Sequence, residues 1–198
     1  AEAVNCTRSS WDDLPADIYR MVADHAIANL TGRAKDLAMK AGRSGSKNTV
    51  MIVGYGAGEE TCIKNTVEYF VTNFNASVAD ATAIAKAYYA ACGAVAPAIQ
   101  KLTNALKSRA KKFVSQGNET ITWTTADGFV AEIKYTDIEA KRFRAATYNA
   151  LIKGDVLLDE VKTVGALSPN FVHSIDATHL RMVVNTCDWN LVTVHDSI

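Results

Sequence analysis

The hydrophobic period changes at Gln116-Gly117-Asn118, and that change limits what this chain folds into more than any other feature. Upstream, apolar residues return every three or four positions, the spacing of one face of an α-helix; downstream, short β-prone runs alternate around turn residues. The fold class expected is therefore mainly α with a small antiparallel β component, an α+β chain. Asp17 to Met39 reads as one helix, with Ile18, Met21, Val22 and His25 at helical intervals and Pro15 near the first turn. Gly42, Gly45 and the serines between them break that pattern, so a second helix is expected from about Ser46 to Gly54 and a third over Glu59 to Phe74. Ser77 to Ser115 is Ala-rich and helical. Pro97 lacks an amide donor and should kink it or divide it in two.

After the change of period, Thr120 to Thr124 and Phe129 to Tyr135 flank Ala126-Asp127-Gly128, a hairpin signal. Residues 137–166 are mixed and charged and receive no firm assignment, with Asp159 to Lys162 fitting a short helix or a loop. Ser168-Pro169 should cap a helix from Asn170 to Val184, and Trp189 to Val194 reads as a short buried strand. No internal repeat and no obvious domain boundary interrupts the 198 residues.

Composition excludes several classes. With 48% hydrophobic and 21% charged residues, eleven Gly and three Pro, the chain is neither disordered nor collagen-like. No apolar run approaches the roughly 20 residues of a membrane-spanning helix, and Ala1 to Val4 does not open like a signal peptide, so a soluble, cytoplasmic chain with no membrane partner is expected. Cys6, Cys62, Cys92 and Cys187 lack metal-binding spacing and read as free thiols. Asn5, Asn29, Asn75 and Asn118 match the short glycosylation triplet and are read as chance. The net charge of zero removes bulk charge as an argument for nucleic-acid binding but leaves room for a local basic face.

Four constellations hold candidate chemistry. Arg43, Lys47 and Met51 recur at intervals of four before Gly54-Tyr55-Gly56, which places two cations and an apolar side chain down one side of a helix. That ladder suits a triphosphate, with Arg as a fork and Lys as a point charge, while Gly54 lets a bulky group approach beside Tyr55. A solvated basic helix edge is the competing reading. His195-Asp196-Ser197 ends an apolar strand, a place where a carboxylate is commonly presented to magnesium; an ordinary turn Asp is the alternative. His173 and Asp176 are neighbours on one helix surface, on which Val172, Ile175, His179 and Val183 form a flank that could pack inward. Ala94 to Asn118 holds Lys101, Lys107, Arg109, Lys111 and Lys112 and no acid, a surface for a phosphate backbone or simply for solvent.

In order and wording these segments resemble the phage-type single-subunit DNA-dependent RNA polymerases, relatives of the mitochondrial enzyme. Ser46-Lys47-Asn48-Thr49-Val50-Met51-Ile52-Val53-Gly54-Tyr55-Gly56 is similar to motif B on the fingers helix. The block Ser168 to Arg181, followed by Val192-Thr193-Val194-His195-Asp196-Ser197, is similar to a palm helix and motif C, and Thr122 to Phe129 to the segment linking motifs B and C. Leu14-Pro15 with Asp17-Ile18-Tyr19 resembles the stretch after motif A. The resemblance implies the fingers and partial palm of a right-hand fold, with about 14–166 fingers-like and 167–198 partial palm.

By position, the resemblance makes Arg43 and Lys47 ligands of the incoming triphosphate, with Met51 and Gly56 beside them, and Tyr55 a neighbour of the templating base that helps to select ribose. Asp196 becomes one of two metal-binding carboxylates, His173 lines the site, and His195 and Asp176 support it. Two Mg²⁺ ions, a DNA template, an RNA product and ribonucleoside triphosphates are the implied cofactor and partners, together with the part of the polymerase that carries motif A. Motif A would lie just upstream of residue 1, so the isolated chain is expected to be inactive. Ile175, Ala177, Thr178 and Gly54 depart from the family's usual residues, and Glu139 to Thr163, where a promoter-reading hairpin would fall, reads as shorter. Met51 and Ser197 favour an RNA polymerase over the related family A-like DNA polymerases. The rival from another class is a non-catalytic nucleic-acid-binding subunit derived from a polymerase.

Overall fold

Helix ends account for most of the architecture. The computed structural model describes residues 16–145 and 148–192, which divide into two compact units, residues 1–104 and 105–198. The division falls inside a helix, where the sequence offers no linker. The first unit holds α1 (Ile18–Ala28), α2 (Gly32–Gly54), α3 (Glu59–Phe74), α4 (Val78–Val95) and the start of α5 (Pro97–Ser115). The second holds the rest of α5, the antiparallel hairpin β1 (Ile121–Thr124) and β2 (Val130–Ile133), a second hairpin β3 (Thr136–Ala145) and β4 (Tyr148–Leu158), and α6 (Glu160–Thr186). The mainly α, small antiparallel β class expected from the sequence is the class observed.

α3 spans the residues expected, and Pro97 ends α4 and opens α5, where its missing N–H costs no helical bond. The expected single helix over 17–39 is instead two. Asn29 caps α1, Thr31 precedes α2, and Gly32 takes φ +57°, a conformation that glycine adopts without strain. The same grammar joins α3 to α4: Asn75 turns left-handed at φ 49°, and the Ser77 hydroxyl accepts from the Asp80 amide at 3.1 Å. Two of the four glycosylation-like triplets thus arise because Asn ends one helix and Thr or Ser begins the next. The break expected between Gly42 and Ser46 is confined to Gly42, at φ 52° and ψ −136°, so α2 kinks and continues.

The core of the first unit gathers Val22 and Ala26 of α1, Ala34 and Ala38 of α2, Phe70 of α3, and Ala81, Ile84, Tyr88 and Ala91 of α4. Small residues let the helices approach closely. A Cβ at Gly45 would lie 2.7 Å from Tyr88 Oη and 3.2 Å from Phe70 Cζ, so glycine is what admits α2 to this contact. Thr49 and Thr66, both buried, satisfy each other at 2.8 Å. Cys62, Cys92 and Cys187 are free, as expected; burial pushes the Cys62 thiol up to about 11 and the Cys92 thiol up to about 12. Cys6 lies outside the described residues.

The β1–β2 hairpin forms where the sequence placed it, with Ile121 opposite Ile133 and Thr124 opposite Val130. Ile133, Ala110 and Leu167 make a small core with Leu106, Ile121, Trp123 and Val164 around it. The unassigned stretch contains the longer β3–β4 hairpin, in which a register shift at Ile138/Ala140 interrupts the ladder.

Three expectations fail in the second unit. α6 begins at Glu160, capped by the Asp159 carboxylate on the Lys162 amide at 2.9 Å, and it runs through Pro169, so Ser168 is a buried helical residue and not a cap. The residue four before the proline is Gly165, with open space around it, and the Asn170 side-chain amide donates to the Ala166 carbonyl at 2.8 Å beside the break. The inward face of α6 carries Leu167, Phe171, Ser174 and Thr178, and Ile175 and His179 face solvent. The expected strand is absent over residues 189–192, where Trp189 and Val192 are 72% and 80% exposed. Neither described hairpin pairs with these residues; residues 193 and 194 lie outside the described residues.

Candidate functional site

The ladder on α2 survives folding. Downstream of the Gly42 kink the helix buries Gly45, Ser46 and Thr49, which turns Arg43, Lys47 and Met51 outward, each exposed and about 6 Å of rise from the next. Lys47 has no ion pair among the described residues, so its ammonium is available to an anion. Arg43 is engaged on one edge only: Nε donates to Asp17 Oδ2 at 2.5 Å, and the guanidinium carbon lies 4.7 Å from the centre of the Tyr19 ring.

The helix end that presents Tyr55 is a Schellman motif. The Ala57 amide donates to the Ile52 carbonyl at 2.9 Å, the Gly56 amide to Val53 at 2.8 Å, and Gly56 takes φ +86°. Gly56 therefore has a structural duty: it closes the helix with Tyr55 as its half-buried C-cap. Open space surrounds the position of a Cβ at Gly54, as the approach of a bulky group requires. Behind this helix lies a cavity of about 10 Å³, lined by Ile18, Val22, Val50 and Val53 among others. It has room for roughly one water, so a nucleotide would meet the exposed ladder instead.

Desolvation raises the Asp17 carboxyl, but hydrogen bonds from Arg43 and from the Arg20 and Tyr19 amides, with the Arg43 charge, outweigh it and hold the group below its ordinary value.

In the second unit, α5 turns Arg109, Lys111 and Lys112 to solvent opposite buried Ala110 and Val114, with Lys107 half-buried on its flank; none of the three exposed cations has an ion pair among the described residues. Lys101 is exposed on the part of α5 in the first unit. His173 and Asp176 are exposed three residues apart on α6. His195 and Asp196 lie outside the described residues. No three His, Cys, Asp or Glu side chains converge among the described residues.

The sequence reading missed the groups that hold these elements. Asp127, in the turn of the first hairpin, accepts from Arg181 Nε and Nη2, and Thr125 and Thr178 add hydroxyl contacts. Arg181 also lies 4.8 Å over the Phe129 ring, and Trp123 Nε1 donates to Ser174 Oγ at 2.9 Å. This stitching fixes the hairpin to the middle of α6, the helix that displays His173. Bonds from Arg181 and Thr125 hold the Asp127 carboxyl well below the usual carboxylate range. The only sequence signal was indirect: both partners fall within the blocks that carry the resemblance, 54 residues apart.

Comparison with known proteins agrees with that resemblance. The family model described as DNA-dependent RNA polymerase matches residues 1–198, and the chain belongs to this family. Among curated relatives, it is 30% identical to the DNA-directed RNA polymerase of Enterobacteria phage T3 over 75% of this chain and 20% of that protein. It is 26% identical to a probable DNA-directed RNA polymerase of Agaricus bitorquis over 93% of this chain and 19% of the relative. Against the chloroplastic/mitochondrial DNA-directed RNA polymerase 2 of Arabidopsis thaliana, the identity is 25% over 100% of this chain and 21% of the relative. The chain thus spans about one fifth of the length of the relatives it matches.

Proposed function

We propose that this chain supplies the nucleotide-binding fingers surface and part of the palm of a DNA-directed RNA polymerase, about 14–166 and 167–198 respectively, for template-dependent ribonucleotidyl transfer. The observation that carries the reading is the outward ladder of Arg43, Lys47 and Met51, closed by Tyr55 at a glycine-terminated helix end. In this reading Arg43 and Lys47 hold the triphosphate by charge-assisted hydrogen bonds, and Tyr55 with Met51 forms the apolar shelf for base and ribose. The cations of α5 bind the nucleic-acid backbone. Mg²⁺ is the proposed cofactor: when bound, it would activate the 3′-hydroxyl and steady the leaving pyrophosphate, with Asp196 as one carboxylate ligand. His173, His195 and Asp176 are proposed to line or support that site, and the chain by itself is proposed not to turn over.

The test is Lys47→Ala in a polymerase assembled from this chain and the remaining parts of the enzyme. Nucleotide incorporation should fall at least tenfold while salt-sensitive binding of nucleic acid persists. Unchanged incorporation would sink the reading. The acid-free face of α5 favours a second one, a non-catalytic nucleic-acid-binding subunit, for which no variant of Arg43 or Lys47 would matter and neutralising Arg109, Lys111 and Lys112 would abolish function.

A further inference from the structure

We infer that Asp17 is a positioning residue for Arg43, acting with the Tyr19 ring to set the guanidinium in advance as one prong of the triphosphate clamp; this deepens the proposed function and rests on it. Asp17 divides its two oxygens between two tasks. Oδ1 caps α1, accepting from the Tyr19 and Arg20 amides at 3.0 and 3.3 Å, and Oδ2 receives Arg43 Nε at 2.5 Å. The cap fixes the carboxylate, so Arg43 meets a rigid acceptor on a helix end instead of a free side chain.

The face of the guanidinium is held as well. Its carbon lies 4.7 Å from the Tyr19 ring centre, and the Tyr19 carbonyl accepts from Ser46 Oγ at 2.6 Å, which ties that first turn of α1 to α2 three residues beyond Arg43. One edge and one face are thus occupied, while both terminal Nη groups lack a hydrogen bond among the described residues on a side chain 46% exposed. A carboxylate that merely sequestered Arg43 would take the Nε–Nη edge in the bidentate fork. This one takes Nε alone and leaves the terminal donors to a second anion. A pre-set arginine loses less rotamer freedom when an anion arrives, which is how preorganisation adds affinity.

The sign of one substitution decides the matter. Asp17→Asn keeps an oxygen for the cap, since Asn caps helices as well as Asp, and removes a negative charge near the anion site. Charge alone would then tighten binding of an anion, whereas loss of positioning weakens it. The experiment titrates the full 198-residue chain with inorganic tripolyphosphate and with ATP, both free of magnesium, by calorimetry. Asp17→Asn should weaken both by about two- to tenfold, the range expected for one side chain released. Tyr19→Leu should act in the same direction and Tyr19→Phe should not. In the Arg43→Ala background, Asp17→Asn should have no further effect; in the ligand-free Asp17→Asn single variant the Arg43 Nε–H signal should lose its protection from exchange while the amide spectrum stays folded.

Tighter or unchanged binding by Asp17→Asn, with Arg43→Ala still losing affinity, would overturn this inference and leave the nucleotide-binding reading standing. Full affinity in Arg43→Ala and Lys47→Ala would overturn that reading itself, and this inference with it.

Discussion

Gly45→Ala should destabilise the first unit although alanine is the better helix former. The added Cβ would lie 2.7 Å from Tyr88 Oη, 2.9 Å from Ala41 Cβ and 3.2 Å from Phe70 Cζ. Tyr88 and Phe70 are fully buried and have nowhere to retreat. Cβ atoms four apart on a regular helix stay about 5–6 Å apart, so the short distance to Ala41 is produced by the intervening kink at Gly42 and is relieved only by unbending it. Overpacking of this kind costs about 1–3 kcal/mol, against which Gly to Ala in a helix returns about 1. The net loss is up to about 2 kcal/mol, or a fall of up to roughly 16 °C in Tm for a unit of this size, read by thermal or urea unfolding. Unbending would also draw Arg43 away from Asp17. Gly54→Ala, where the new methyl meets open space, should instead gain up to about 1 kcal/mol. A Gly45→Ala chain stabilised by the full gain of about 1 kcal/mol expected at an unhindered helical site would refute the packing argument.

Thr49→Val should cost about 1–3 kcal/mol because it strands the buried Thr66 hydroxyl, and Thr66→Val the same; the double variant should recover most of the loss, a coupling that a urea-denaturation cycle measures. Because the Asp127 carboxyl is depressed in the folded state by Arg181 and Thr125, its contribution is present above the ordinary carboxylate value of 3.8 and is lost as pH falls through the folded value. Stability of the second unit should therefore decline in acid, and Asp127→Asn should flatten that decline; an equally steep acid limb in the variant would show that other groups produce it.

Local chemistry was legible wherever one residue decides a boundary on its own. Pro97 was expected to kink or divide its helix and divides it, and Ala126-Asp127-Gly128 lies in the hairpin turn expected there. Pro169 misled because its neighbours, Gly165 without a Cβ and Asn170 with a spare amide donor, absorb what a proline usually breaks. Gly42 misled in the opposite direction, since a glycine at positive φ can bend a helix without ending it. The 189–192 strand was read from apolar character alone, and strands also need a partner that sequence spacing does not supply.

The ladder on α2 was legible because a spacing of four fixes relative direction whatever the tertiary contacts. Its supports were not. Asp17 reaches Arg43 across 26 positions only after α1 docks on α2, and Asp127 reaches Arg181 across 54 only after the hairpin lies on α6. Such pairs are set by packing, and a single sequence carries no record of which of its charges will meet.

Arg43, Lys47, Met51 and Tyr55 are proposed to form one surface for a ribonucleoside triphosphate. The most direct measurement is a titration of the isotope-labelled chain with ATP, followed through the amide signals and the Arg43 Nε–H signal. Saturable shifts are expected on residues 43–56 and on Asp17 and Tyr19, abolished together in Lys47→Ala. Saturable shifts elsewhere, or shifts on this helix that survive in Lys47→Ala, would contradict it.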